Sequence, residues 1–272
     1  LRTPPLVGRE FRRQGVLPMR MDLDTLVTRL DDRLRTDAYA DLDASANGLQ
    51  VDGPEEVARV ALAVDAARAT AEAAADQDAD LLLTHHGIVW GGLDRVTGRT
   101  YDRLAPLFDG NCGLYVSHLP LDGHEELGNA AGVCDVLGVT EREPFGTLGT
   151  ETVGLRGQVS RQPVGAAVDK LESVLSPGRG VRLLSFGPEK VDDMAVITGS
   201  GADFLDEAAT VDVDLFVTGE GKQQVYHEAR EAGLNVALAG HYATETFGVR
   251  AVGALLTEWG VETTWIDHPT GL

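Results

Sequence analysis

From residue 22 onward, the chain alternates between amphipathic stretches with helical spacing and short apolar runs that predict buried strands. The first helix is predicted from Leu23 to Leu34, with Asp22 placed to cap its start. Further helices are predicted at 66–77, 101–108, 127–137, 164–175, 203–209, 222–232 and 244–259, and strands at 57–65, 80–84, 113–117, 152–159, 181–186, 194–198, 214–218, 235–238 and 262–266. This alternation predicts a layered α/β fold with largely parallel strands.

Two segments depart from this alternation. Residues 1–20 carry five arginines and one acid and lack the apolar core of a secretory signal. They predict a disordered arm or an upstream extension before a start at Met19 or Met21, with a short nucleic-acid-binding arm as the alternative. Residues 141–150 are rich in turn-forming residues and predict a boundary between two lobes.

Composition narrows the class of protein. The 272 residues are 43% hydrophobic and 24% charged, which is typical of a globular chain. No apolar run approaches the roughly 20 residues of a membrane-spanning helix. The two cysteines, Cys112 and Cys134, are too few for a disulfide framework, and we interpret them as reduced core residues.

The net charge changes the list of expected partners. Forty-three acids against 23 bases give −20 at pH 7, and only three of the bases are lysines. Such a surface repels nucleic acid and anionic membranes on average, although a local basic patch would be compatible with it. An acidic, lysine-poor surface is typical of a high-salt cytoplasm, where ions screen the self-repulsion, so we expect a halophilic, cytoplasmic protein.

Three predicted strands are followed by side chains that can bind metal. In an open α/β sheet, ligands bind beyond the carboxyl ends of the strands. His85 and His86 follow the first of these strands and precede Gly87, so one turn of the backbone can direct both imidazoles into a crevice. The alternative for this pair is a hydrogen-bonded turn histidine beside a surface histidine.

The second strand leads into a segment that holds His118, Asp122 and His124. Asp122 is the natural candidate to bridge two metal ions, because a carboxylate has two oxygens and a neutral imidazole cannot bridge. The alternative is that Asp122 only starts an Asp-Gly turn. We interpret His124 as a supporting residue.

The third strand runs through a glycine to His241 and Glu245, which are four residues apart. On a helical turn this spacing brings a nitrogen and an oxygen donor to the same face. The alternative is a histidine at a helix start, with a glutamate favoured there by the helix dipole.

Together the three segments predict a site for two borderline divalent ions, such as zinc, manganese or iron(II). With no thiolate among the donors and with water completing the coordination, such a site would be catalytic in type. The five predicted ligands are His85, His86, Asp122, His241 and Glu245.

These motifs resemble the Nif-three-like family of dinuclear-metal-centre proteins, whose members bear the name GTP cyclohydrolase I type 2 homologue. The resemblance covers about residues 22–267 and is closest to the shorter members that lack an inserted domain. It rests on the order and spacing of NGLQV at 47–51, THHG at 84–87, SHLPLDGHEELGN at 117–129, GSG at 199–201, TGE at 218–220 and GHYATE at 240–245.

The resemblance implies the same five metal ligands and places His118 near the metals, as a supporting or proton-transferring residue. It implies two interleaved α/β lobes in α/β/α layers, which we place at residues 21–140 with 236–272 and at residues 141–235. It also implies a toroidal homohexamer with the metal sites facing an inner cavity. Many members carry proline where this chain has Gly87, which predicts a looser loop here.

The leading functional hypothesis is a metal-dependent hydrolase that uses metal-activated water. The resemblance implies GTP cyclohydrolase chemistry, with a nucleotide or pterin-like compound as substrate. The candidate catalytic residues are His118 and Glu245, acting on protons. The alternatives are a non-enzymatic carrier or scaffold for a metal such as iron, and a regulatory or nucleic-acid-interacting protein, which the charge of −20 disfavours.

Overall fold

Two β-sheets, each covered by helices on both faces, organise the chain. The structure is a computed structural model that describes residues 19–175 and 178–272. Most of the arm predicted at residues 1–20 lies outside these ranges. Within them, no helix is both long enough and apolar enough to cross a membrane.

The strands and helices occur in the alternation that the sequence predicts. The strands are β1 (Met21–Asp22), β2 (Gly48–Val51), β3 (Glu56–Val57), β4 (Arg59–Asp65), β5 (Leu81–His86), β6 (Gly113–Val116), β7 (Thr140–Leu148), β8 (Glu151–Pro163), β9 (Arg182–Leu184), β10 (Lys190–Val196), β11 (Leu215–Thr218), β12 (Asn235–Leu238) and β13 (Glu262–Trp265). The α-helices are α1 (Leu23–Leu34), α2 (Arg68–Asp76), α3 (Arg99–Asp109), α4 (Leu119–Gly123), α5 (Asn129–Leu137), α6 (Val164–Leu175), α7 (Leu205–Thr210), α8 (Val225–Ala232), α9 (His241–Thr244) and α10 (Thr246–Glu258). Short 3₁₀ helices span Thr36–Tyr39 and Gly201–Phe204.

The first sheet has five strands in the order β13-β4-β5-β6-β2, and only β2 is antiparallel to its neighbour. Its central strands β4, β5 and β6 are buried along most of their length, as strands between two helix layers must be. Helices α1 and α10 pack on one face through residues such as Leu30 and Val252. Helices α2 and α3 cover the other through residues such as Ala74 and Leu107.

The second sheet has six strands in the order β7-β8-β10-β11-β12-β9, with a parallel centre of β10, β11 and β12. Helices α5 and α6 pack on one face around residues such as Val133 and Leu171. Helices α7 and α8 pack on the other around residues such as Leu205 and Ala229. The predicted α/β class with α/β/α layering is therefore confirmed, and it occurs twice.

The two halves interleave along the chain. The chain leaves the first sheet after β6, builds the second, and returns through α10 to add β13 to the first. The predicted lobe limits, residues 21–140 with 236–272 and residues 141–235, stay a prediction. Strand β12, which spans Asn235–Leu238, pairs within the six-stranded sheet.

The single helix predicted at 244–259 is wrong, and residues 141–150, whose role as a lobe boundary stays a prediction, form a local structure that their turn-rich composition does not indicate. The turn-rich segment at 141–150 is mostly strand β7, which forms a long hairpin with β8; the positive φ angles of Gly146 and Gly149 fit a kinked strand and its turn. The single helix predicted at 244–259 is two helices, with Glu245 between α9 and α10. For residues 141–150, pairing with β8 outweighs the local composition.

Gly132 allows the close contact between α5 of the second half and α10 of the first. A Cβ on Gly132 would lie 2.5 Å from Cγ of Phe247 on α10, whereas a Cβ on Gly165 of α6 would meet open space. We expect Gly132→Ala to lower the free energy of unfolding by about 1–3 kcal/mol through overpacking. Gly165→Ala should leave it equal or higher by up to about 1 kcal/mol. Denaturant unfolding measures both, and equal effects would contradict this account of the contact.

Candidate metal centre

The carboxyl ends of parallel strands from both sheets meet at one crevice. His85 and His86 are the last residues of β5, and Asp122 lies in α4, which follows β6. His241 and Glu245 follow β12 of the other sheet, at the two ends of α9. The structure thus brings the five predicted ligands into one cluster: His85, His86, Asp122, His241 and Glu245.

The first part of the cluster is buried. Nε2 of His85 lies 3.6 Å from Oδ1 of Asp122 and 3.5 Å from Oε1 of Glu245. His85 is fully buried, and the two carboxylates are nearly so. Each residue offers one donor atom, and these atoms lie within 4.8 Å of one another. That spacing suits three ligands of one ion.

The second part of the cluster shares Glu245 with the first. Nε2 of His86 lies 3.4 Å from Oε2 of Glu245, and Nε2 of His241 lies 3.1 Å from Oε1. These three residues also bring donor atoms within 4.8 Å of one another. Glu245 therefore belongs to both groups of donors, whereas Asp122 belongs to one.

Each imidazole of the cluster is oriented through its Nδ1 atom. The Nδ1 atom of His85 lies 2.9 Å from a backbone carbonyl oxygen, and those of the other histidines lie 2.9–3.1 Å from carboxylate oxygens. Such contacts fix the ring and leave Nε2 for another partner. The pairs are His85 with Ser117, His86 with Asp65, His118 with Asp43, and His241 with Glu220.

Asp122 is oriented by two donors from other elements. Asn129 Nδ2 and Thr198 Oγ1 both donate to its Oδ1 atom, at 2.9 and 3.0 Å. Asn129 is fully buried and also accepts from the backbone N–H of Gly248, at 2.8 Å. One amide therefore joins α5, the Asp122 carboxylate and α10.

The electrostatics of the cluster favour positive charge. Burial lowers the pKa of His85, but the carboxylates of Asp122 and Glu245 outweigh burial and raise it to about 9. The pKa of His241 is likewise raised to about 9 against burial, by Glu245 and Glu220. Burial raises the pKa of Glu245, yet the neighbouring histidines hold it well below its usual range. The negative potential at the imidazoles suits a bound cation.

Two buried atoms of the cluster that could bind a metal ion have no hydrogen-bond partner among the described residues. They are Nε2 of His85 and Oε2 of Glu245. A buried polar atom without a partner costs roughly 1–3 kcal/mol, so such atoms call for an explanation. Divalent metal ions would satisfy both atoms, and nitrogen and carboxylate oxygen are the donors that zinc, iron(II) and manganese take. The side chains of this cluster therefore fit the two divalent ions that the family resemblance implies.

The two predicted catalytic residues lie at this cluster. The ring centre of His118 is 5.0 Å from that of His85 and 5.5 Å from that of His86. Glu245 is buried at the centre of the donor set. Their catalytic roles stay a prediction. His124 is not part of this cluster. Its Nε2 contacts Arg33, and its Nδ1 accepts from the backbone N–H groups of residues 126 and 127.

The absence of a side chain at Gly199 leaves space for two of the predicted ligands. Gly199 follows β10 with a φ of 58°, which favours glycine. A Cβ at this position would lie 3.2 Å from Nε2 of His241 and would collide with Oε1 of Glu245. The GSG stretch at 199–201 therefore brings bare backbone up to two predicted ligands.

Sequence reasoning missed the residues that orient the ligands. Asp65 had a usable signal, because it ends a predicted apolar strand in the same way as the His85-His86 pair. Thr198 had the same signal, since it ends the strand predicted at 194–198, and Asn129 ends the motif at 117–129. Asp43 carried no local signal, since its partner His118 is 75 residues away.

Comparisons with known proteins agree on one family. The profile of the Duf34/NIF3 (NGG1p interacting factor 3) family matches residues 21–270. The chain is 57% identical over 255 residues to the "GTP cyclohydrolase 1 type 2 homolog" of Halobacterium salinarum, covering 93% of this chain and 100% of the relative. The relative of the same name from Archaeoglobus fulgidus is 39% identical over 253 residues, with coverage of 93% and 100%.

Solved structures agree as well. The crystal structure of TTHA1606 from Thermus thermophilus matches with a TM-score of 0.85 and 41% identity, covering 93% of this chain and 100% of that one. The structure of the protein ybgI, of unknown function by its own description, matches with a TM-score of 0.85 and 36% identity, with coverage of 93% and 100%.

We expect Asn129→Ala to lower the free energy of unfolding by about 1–3 kcal/mol, because it leaves the buried N–H of Gly248 without its acceptor and removes a donor from Asp122. Metal affinity should fall about 10- to 100-fold, as for other residues that orient ligands. Denaturant unfolding and zinc titration measure the two effects. Gln223→Ala, which truncates an exposed amide, is the control; an Asn129→Ala protein that matches this control would contradict the assigned role.

Proposed function

The chain belongs to the Duf34/NIF3 family, and we propose that it holds two divalent metal ions and acts as a metal-dependent hydrolase. The observation that carries this proposal is the pair of unpartnered, buried donor atoms on His85 and Glu245, set among further nitrogen and oxygen donors. Natural cores pair nearly all buried polar groups, so unpartnered atoms on two neighbouring metal-binding side chains favour an ion between them.

The two groups of donors divide between the two ions. His85, Asp122 and Glu245 would hold one ion, and His86, His241 and Glu245 the other. We assign the shared carboxylate to Glu245 rather than to Asp122, the bridge that the sequence suggested. Paired ions of zinc, iron(II) or manganese, when bound, polarise a substrate oxygen and make water a stronger nucleophile at neutral pH.

The protein's own groups supply proton handling and orientation. His118 lies beside the two groups of donors, and both carboxylate oxygens of Asp43 lie near its Nδ1, at 2.9 and 3.1 Å. This leaves its Nε2 to take up or release a proton at the reacting atoms. The names of the relatives point to GTP as the first substrate to test. The pterin-like compound expected from the sequence is the second.

A second candidate function, that of a metal carrier, is favoured by a difference in exposure between the two groups. The side chains of His86 and His241 are 19% and 25% exposed, whereas that of His85 is fully buried. An ion held by the more exposed group would exchange with solvent more readily than the buried ion. One retained ion and one exchangeable ion, without turnover, would be the behaviour of a carrier.

We expect the purified protein, supplied with Zn²⁺, Mn²⁺ or Fe²⁺ in high-salt buffer, to hold about two ions per chain and to consume GTP. His85→Ala should lose about one ion and nearly all turnover, because it removes a donor of the buried group. His227→Ala, which removes an exposed histidine outside the cluster, should change neither. Elemental analysis and GTP consumption are measured on the same samples.

The outcomes separate the two functions. Two ions and no turnover of GTP or of a pterin-like compound would contradict the hydrolase, and ready exchange of one of these ions would favour the carrier. Fewer than one ion per chain under all three metals would contradict the metal centre itself.

A further inference from the structure

Trp90 stands at the edge of the metal centre with much of its surface open. Its ring centre lies 5.0 Å from that of His118 and 6.2 Å from that of His86, yet the residue is 43% exposed. A tryptophan side chain usually buries most of its large apolar surface. An open indole beside a cluster of ligands therefore calls for an explanation.

The indole is held in this position by hydrogen bonds. Its Nε1 atom donates to the carbonyl of Gly87, at 3.0 Å. The backbone of Trp90 forms a bridge with Ser45, and the next residue, Gly91, donates to the carbonyl of Ala44 at 2.7 Å. The ring thus belongs to a fixed corner of the site.

Gln50 provides a second anchor for the same loop. Its Oε1 atom accepts from the N–H groups of Ile88 and Val89, at 2.9 and 3.1 Å, and its Nε2 atom donates to the carbonyl of Ala46. The amide also fills the space beside Gly87, where a Cβ would lie 2.8 Å from Cδ of Gln50. Gly87 was expected to loosen this loop, but the hydrogen bonds of Gln50 hold the loop in place.

The other two tryptophans are used differently. The guanidinium of Arg29 lies 3.9 Å from the ring centre of Trp259, and that of Arg250 lies 4.0 Å from the ring centre of Trp265. These are cation–π contacts, which cover an aromatic face. Across residues 19–175 and 178–272, no guanidinium covers the ring of Trp90 in this way.

We propose that the indole of Trp90 is the stacking platform for a planar heteroaromatic ligand, of the nucleobase class, that binds beside the metal centre. This inference rests on the proposed function, because it places the ring of the substrate against a wall of that same site. A fixed and partly exposed indole suits a flat ring, since every nucleobase has a π-face that stacks on aromatic side chains. Nε2 of His118, whose Nδ1 is bound to Asp43, would meet the polar edge of such a ring.

The test uses the zinc-loaded protein with GTP, ATP and CTP, and with inorganic triphosphate as the probe that lacks a base. The variants are Trp90→Leu, which removes the aromatic face, Trp90→Phe, which keeps one, and Trp259→Phe as the control. Calorimetry measures the affinity for each nucleotide. Quenching of tryptophan fluorescence by the nucleotide is measured as well and is corrected for the quenching of free tryptophan. Zinc content and sedimentation are measured on each variant.

We expect at least one nucleotide to bind more tightly than triphosphate and to quench the fluorescence of the wild type and of Trp259→Phe, but not that of Trp90→Phe. Its affinity should fall about 5- to 150-fold in Trp90→Leu and recover most of that loss in Trp90→Phe. The affinity for triphosphate should stay the same in all variants.

Three results would overturn the inference. They are equal nucleotide affinity in wild type and Trp90→Leu, no nucleotide that binds more tightly than triphosphate, and a change in sedimentation in Trp90→Leu, which would place the indole in a contact between copies. The zinc content of the protein shows whether the stacking platform alone is wrong or whether the proposed metal centre is wrong as well. Bound zinc without a base effect refutes only the platform, whereas absence of zinc from the wild type refutes the metal centre.

Discussion

The buried carboxylate of Glu245 is the constraint on which the rest of the centre depends. It stands between α9 and α10, where the chain crosses from the second sheet back to the first, and it meets histidines from both sides. An ionised carboxylate at such depth is costly unless positive charge surrounds it. The imidazoles of His85, His86 and His241 supply positive charge around it, and its Oε2 atom has no hydrogen-bond partner among the described residues.

This constraint explains why the two halves interleave. The donors of the first sheet, His85 and His86, become useful only when the second sheet presents His241 and Glu245 across the crevice. Three further residues lie where the two halves meet. Gly132 allows the close packing of α5 on α10, Gly199 brings bare backbone up to the ligands, and the amide of Asn129 bridges Asp122 and α10. Contacts that hold the two halves together thus lie beside the contacts that orient the predicted ligands.

Much of this was predictable from the sequence, because short apolar runs that end in histidine carry a strong local signal. Helix α6 and strand β12 have the predicted bounds, and the ligand cluster follows from the rule that the ends of parallel strands share one edge. The hairpin of β7 and β8 was not predictable, since glycine and proline in 141–150 suggest a turn and only pairing with β8 makes the segment a strand. A support such as Asp43 for His118 joins positions 75 residues apart and leaves no local pattern.

We propose that two ions lie in this cluster and share Glu245. Anomalous diffraction from crystals of the zinc-loaded protein tests it most directly, because it locates each metal without any assumption about activity. We expect two anomalous peaks per chain, one among His85, Asp122 and Glu245 and the other among His86, His241 and Glu245. A single peak, or peaks confined to other carboxylates such as the Asp192, Asp193 and Asp214 group, would contradict it.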